Sequence, residues 1–99
     1  MTVSMLDMRK TLIRKLGFSE SSRHHIFYNL YDREGTRVAT TKLSHSRTGR
    51  DIGISILSKI AKQMHLTIPQ LQDAVKCPLS REDYSGILRE KGLINTDLP

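Results

Sequence analysis

The chain has 99 residues, of which 5% are aromatic and none is tryptophan, so it fits one small domain with a modest aliphatic core. One cysteine, Cys77, excludes an intrachain disulfide, and no apolar run is long enough for a membrane span, so we expect a cytoplasmic protein. The net charge of +6 lies in the first half: residues 1–50 carry ten Lys/Arg against four Asp/Glu, and residues 51–99 carry six of each. Such a basic region attracts polyanions, of which nucleic acid is the commonest.

The first predicted element is an amphipathic helix over residues 8–16. Asp7 is its expected N-cap, and Gly17 its expected C-terminal stop, after which Phe18 can fold back onto the apolar face. Residues 19–22, Ser-Glu-Ser-Ser, are expected to form a polar connector with room for a short extra strand.

A β-hairpin is predicted next. Residues 24–31 and 36–43 have strand composition, and residues 32–35 form a tight turn in which Gly35 takes the left-handed conformation. This hairpin would bring His24 and His45 to the same end of the sheet. Neutral imidazole near pH 7 can accept or give a proton, so this end is the predicted functional site.

A second helix is predicted to begin at the capping box Thr48-x-x-Asp51. Its apolar residues recur at helical spacing for about three turns; they are Ile52, Ile56, Leu57, Ile60, Ala61 and Met64. We expect both helices to cover one face of a small antiparallel sheet while the other face stays open. The predicted class is therefore α+β, in the order α-β-β-α with an optional third strand.

Residues 68–99 are predicted to be a helical C-terminal extension to a domain of residues 1–67. Capping boxes at Thr67-x-x-Gln70 and Ser80-x-x-Asp83 begin its two helices, and Gly92 stops the second. The extension either packs on the domain or mediates homo-oligomerisation, and its last residues are expected to fray.

The residue types favour RNA phosphodiester cleavage without a metal or other cofactor. A structural zinc site needs four paired ligands that this chain lacks, and neighbouring residues on a strand, such as His24 and His25, point to opposite faces. In RNA the ribose 2′-OH is itself the nucleophile, so one or two histidines and a few cations suffice. His24 would act as base or acid, with His45 as its partner or a phosphate ligand.

Four short stretches share the pattern of a known family. They are Lys15-Leu16-Gly17-Phe18, Ser21-Ser22-Arg23-His24, Leu43-Ser44-His45, and a helical stretch of apolar spacing from Ile52 to Thr67. Through them, residues 8–67 resemble the HicA family of toxins, which cleave messenger RNA without a metal. The resemblance implies an α-β-β-β-α fold like that of double-stranded-RNA-binding domains, His24 as the catalytic histidine and His45 as the second histidine. It also implies an antitoxin protein as partner.

The predicted site therefore has two catalytic residues and a surrounding RNA-binding set. The catalytic residues are His24 and His45, and the RNA-binding residues are Ser22, Arg23, Lys42, Ser44, Arg47 and Arg50. No metal ligand is predicted.

Two alternatives stay open. The chain could be an RNA-binding module without catalysis. Residues 59–71 also have the pattern of a helix-turn-helix DNA-binding regulator, with Ala61 at the close helix contact and Leu71 in the recognition helix. Against this alternative, His65 occupies the turn position at which glycine is usual.

Overall fold

The computed structural model describes residues 3–22, 26–43, 51–76 and 78–99. Within these ranges the chain is α+β, as predicted, with one three-stranded antiparallel sheet and helices before and after it. The elements in chain order are α1 (Met5–Lys10), a π-helix (Thr11–Lys15), β1 (Ser19–Ser22), β2 (Ile26–Tyr31), β3 (Arg37–Leu43), α2 (Ile54–Gln63), α3 (Ile68–Lys76) and α4 (Arg81–Glu90).

The first helix begins three residues earlier than predicted. Ser4, not Asp7, is the N-cap: its hydroxyl accepts a hydrogen bond of 3.1 Å from the Asp7 backbone N–H. Ser4 is held in place by a β-bridge to Asp51, a contact that the local sequence could not reveal. The predicted stop is confirmed, because Gly17 has φ +81° and Phe18 is buried against the core.

The polar segment after the first helix forms the optional third strand. β1 pairs antiparallel with β2, with Ser22 opposite Ile26, and β2 pairs with β3, with Ile26 opposite Leu43. The sheet order is therefore β1-β2-β3. The pairing uses backbone groups, so four exposed polar side chains suffice for an edge strand.

The predicted hairpin turn is confirmed. The Asp32 carboxylate accepts hydrogen bonds of 2.9 Å from the backbone N–H groups of Glu34 and Thr36, and Gly35 has φ +82°. A shift in register follows, so that Leu30 lies opposite Ala39 while Tyr31 lies opposite Arg37.

Burial alternates along β2 and β3, as one covered face requires. The covered side presents Ile26, Tyr28, Leu30, Ala39, Thr41 and Leu43, all buried. We call the other side of the sheet the open face; its residues are Ser19, Ser21, Phe27, Asn29, Tyr31, Arg37, Thr40 and Lys42.

The second helix begins later than the predicted capping box. Asp51 lies in the bridge to Ser4, the backbone of Ile52 donates to Val3, and Gly53 is the N-cap without a side-chain hydrogen bond. Thr48 lies outside the described residues.

The apolar stripe of α2 is narrower than predicted. Leu57, Ile60 and Ala61 are buried on it, and Met64 is buried at its C-cap, whereas Ile56 is 45% exposed. The spacing of Ile56 in the sequence fits the apolar stripe, but its side chain is exposed to solvent and is not part of the core.

Both predicted caps in the C-terminal part are confirmed. The Thr67 N–H donates to the Gln70 side chain, and the Gln70 N–H donates back to the Thr67 hydroxyl. Ser80 and Asp83 form the same reciprocal pair at the start of α4.

The C-terminal residues pack against the rest of the chain, so the expectation that they fray is wrong. Ile94 and Leu98 are buried, and the Leu98 N–H donates to the Ser85 hydroxyl. The Arg33 guanidinium donates to the carbonyl oxygen of Asp97 at 2.9 Å. A single cluster of buried side chains runs from Val3 to Leu98 and includes residues of α3 and α4.

Candidate functional site

The two histidine-bearing segments are attached to one row of residues at one end of the sheet. Ser22, Ile26 and Leu43 lie side by side across the three strands, as the last residue of β1, the first of β2 and the last of β3. In the sequence, His24 precedes Ile26 by two residues and His45 follows Leu43 by two.

Most of the predicted site lies outside the described residues. This applies to both predicted catalytic residues, His24 and His45, and to four of the predicted RNA-binding residues, which are Arg23, Ser44, Arg47 and Arg50. His25 and Cys77 also lie outside them.

The two predicted residues that the structure describes, Ser22 and Lys42, lie on opposite faces of the sheet. Ser22 is opposite Ile26 and so belongs to the covered side, whereas Lys42 is opposite Phe27 on the open face. Both side chains are exposed; Ser22 is exposed although it is on the covered side, because it ends an edge strand. The sheet therefore does not bring these two side chains together.

The open face carries two aromatic rings, each directly opposite a cation. Phe27 is 39% exposed and pairs with Lys42, and Tyr31 is 41% exposed and pairs with Arg37. Phe27, Tyr31 and Arg37 are not among the residues predicted from the sequence. Nearly every residue of β2 is apolar, so its pattern alone does not say which side faces solvent.

A polar pair lies between the two aromatic–cation pairs. Thr40 is opposite Asn29, and its hydroxyl donates a hydrogen bond of 2.7 Å to the Asn29 side-chain oxygen. The bond uses the side-chain oxygen of Asn29, and the amide nitrogen of the same side chain is a further hydrogen-bond donor. A shallow depression of about 360 Å³ is lined here by Ser21, Phe27, Asn29, Arg37 and Thr40.

On the covered side, an ion pair fastens β1 to the first helix. The Arg9 guanidinium lies 3.1 and 3.2 Å from the two Glu20 carboxylate oxygens, and the Tyr28 hydroxyl lies 3.5 Å from one of them. Burial, together with the nearby Glu20 carboxylate, raises the pKa of Tyr28, while Arg9 opposes this rise. Tyr28 therefore acts as a hydrogen-bond donor at neutral pH.

The predicted helix–turn–helix segment has an unusual backbone position at His65. This residue has φ +65°, and its Nε2 donates a hydrogen bond of 3.1 Å to the carbonyl oxygen of Val38 in β3. Ala61 in α2 and Leu71 in α3 are both buried. The exposed side of α3 includes Asp73 and a single cation, Lys76.

The described residues show neither a metal-binding cluster nor a membrane-spanning helix. They hold no group of three or more His, Cys, Asp or Glu side chains arranged to bind a metal ion. None of their helices is long and apolar enough to span a bilayer. Comparison of the chain with protein-family models, curated proteins and solved structures gave no match.

Proposed function

We propose that this protein binds RNA through its basic half and cleaves messenger RNA without a metal, as a toxin neutralised by an antitoxin protein. The observation that carries the proposal is the row Ser22, Ile26 and Leu43. From this row the sequence runs two residues to His24 in one direction and two residues to His45 in the other. Each residue of chain spans at most about 3.6 Å, so only a short length of chain separates each histidine in sequence from this row, which supports pairing them in one site.

The order of elements also supports the proposal. The chain from the first helix to α2 has the order α-β-β-β-α, in which the strands are β1, β2 and β3. The HicA resemblance and a double-stranded-RNA-binding fold both imply this order. The third strand this order requires is supplied by β1, which pairs with β2 along its whole length.

The proposed chemistry is an internal displacement. One imidazole, that of His24, removes the proton from the ribose 2′-OH, and the 2′-oxygen bonds to the adjacent phosphorus. The bond from phosphorus to the 5′-oxygen breaks, and this leaving oxygen takes a proton from His45. Neighbouring cations, with Arg23, Arg47 and Arg50 closest in sequence, stabilise the negative charge on the phosphate oxygens.

The test is cleavage of a long RNA in excess EDTA by the wild type, His24→Ala and His25→Ala. We expect His24→Ala to lose about 10²–10⁴-fold in rate, because it removes a general acid or base. His25→Ala is the matched control and should cleave within a few-fold of the wild type. Equal activity in the wild type and His24→Ala would remove His24 from the mechanism.

An antitoxin partner would need a surface outside the RNA site. Three exposed apolar side chains, Leu6 on α1 and Ile54 and Ile56 on α2, supply candidate contacts. Co-expression with the product of the adjacent reading frame should yield a co-purifying complex that no longer cleaves RNA.

A second candidate function, duplex DNA binding by α2 and α3, is favoured by the turn at His65. In a helix-turn-helix the turn requires a left-handed residue, and His65 has that conformation. Against duplex DNA binding, α3 carries only one cation that could contact DNA phosphates, Lys76. Tighter binding to duplex DNA than to RNA, lost in Gln70→Ala, would favour this candidate.

A further inference from the structure

We propose that the open face binds single-stranded RNA, with unpaired bases stacked on Phe27 and Tyr31 and phosphates held by Lys42 and Arg37. This inference deepens the proposed function and rests on RNA being the ligand. It assigns a binding surface distinct from the histidine end of the sheet.

The spacing of the rings suits an extended strand of nucleotides. Phe27 and Tyr31 are four residues apart on β2, which places them about 13 Å apart along the strand. This is several times the ~3.4 Å between stacked bases. Each ring therefore receives its own base, and the Asn29–Thr40 pair lies against the nucleotide between them.

Charge favours a polyanion as the occupant. Each ring has a cation directly across the strand pair, Lys42 beside Phe27 and Arg37 beside Tyr31. Among the strand residues of the open face there is no Asp or Glu, because the one acidic residue of β1, Glu20, points to the covered side and pairs with Arg9. The charge on the strand residues of this face is therefore wholly positive, as binding to phosphate groups requires.

The face also offers a place for the nucleotide itself. The depression of about 360 Å³ beside Phe27 is lined by hydroxyl, amide and guanidinium groups. Base edges and the ribose 2′-OH can each donate and accept hydrogen bonds, so these groups suit a single-stranded RNA better than a duplex, whose bases are already paired. Stacking on aromatic rings tolerates any base, which predicts weak sequence preference.

The test measures binding of a labelled single-stranded oligoribonucleotide by fluorescence anisotropy at several salt concentrations. We expect Phe27→Leu and Tyr31→Leu each to weaken binding about ten-fold, and Phe27→Tyr, which keeps an aromatic ring, to bind like the wild type. Lys42→Gln and Arg37→Gln should each lower the slope of log K against log salt by roughly 0.7. Lys59→Gln, at an exposed lysine of α2, is the matched charge control.

A direct contact can be read from a single tryptophan, since the chain has none. Emission from Phe27→Trp should be quenched by the oligoribonucleotide, whereas emission from Leu93→Trp should not, although Leu93 is similarly exposed at 38%. Circular dichroism melts of each variant check that the fold is retained.

The outcomes separate this inference from the proposed function. Unchanged affinity in both leucine variants, with wild-type cleavage that depends on His24, would overturn the open face as the RNA surface and leave the ribonuclease standing. Ring-dependent binding without any cleavage would support the open face and overturn the ribonuclease. No RNA binding by the wild type at low salt would overturn both.

Discussion

The hydroxyl of Tyr84 donates a hydrogen bond of 2.9 Å to the carbonyl oxygen of Met64, the C-cap residue of α2. Tyr84 is fully buried, and its ring stacks against Phe18 with ring centroids 6.3 Å apart. Burial raises the pKa of Tyr84 well above its ordinary value, so the hydroxyl keeps its proton and remains a donor. One side chain of α4 thus donates to the backbone at the C-cap of α2 and packs against Phe18, three residues after the π-helix.

Tyr84→Phe should lower the free energy of unfolding by about 1–3 kcal/mol, because it leaves a buried carbonyl oxygen at a helix end without a donor. Urea unfolding followed by circular dichroism measures this. Tyr31→Phe removes a hydroxyl from an exposed ring and is the matched control, with an expected change within ~0.5 kcal/mol. Equal losses in the two variants would contradict the role of the Tyr84 hydroxyl.

Arg81→Gln should destabilise the protein by about 1–3 kcal/mol. The Arg81 guanidinium donates to the backbone oxygens of Lys15 at 2.9 Å, Pro99 at 3.2 Å and Arg14 at 3.4 Å, and so joins the end of the π-helix to Pro99. Arg89→Gln is the control, because it loses only an exposed ion pair with Asp97. Thermal melts of both variants should show the larger drop for Arg81→Gln.

Two glycine-to-alanine substitutions should act in opposite directions. Gly35 has φ +82°, so Gly35→Ala should cost about 1–2 kcal/mol in the free energy of unfolding. Gly86 lies inside α4 with no atom within 4 Å of where a Cβ would be, so Gly86→Ala should stabilise by about 0.5–1 kcal/mol. Urea unfolding measures both changes in the free energy of unfolding. Changes of the same sign in the two variants would contradict the prediction.

Stability should fall in acid partly through Asp83. Hydrogen bonds from Ser80 lower the pKa of the Asp83 carboxyl. Its folded-state pKa lies below the unfolded value of about 3.9, so its stabilisation is complete above that value and is lost as pH falls through the folded-state pKa.

Asp83→Asn should therefore flatten the decline of the urea midpoint below pH ~4 and lower the midpoint at pH 7. The same substitution at Asp73, an exposed carboxyl group of α3, is the matched control for the change in net charge. An unaltered acid decline in Asp83→Asn would show that other carboxyl groups account for it.

Local patterns in the sequence determined the features that depend on contacts within about five residues. The hairpin turn at Asp32 and Gly35 and the caps at Thr67 and Ser80 were predicted correctly, because each is held by hydrogen bonds between near neighbours in the chain. The α+β class followed from the same kind of pattern, since helical and strand periodicities are themselves local.

Tertiary structure decided the features whose partners lie far away in sequence. Residues 19–22 became a strand because the backbone of β2 lies beside them, and the start of α2 moved because Asp51 bridges to Ser4. The same holds for the candidate surface. Because β2 is almost wholly apolar, its sequence allows either of its two faces to be buried. In the fold Tyr28 is buried in the core, and this leaves Phe27 and Tyr31 exposed, each opposite a cation.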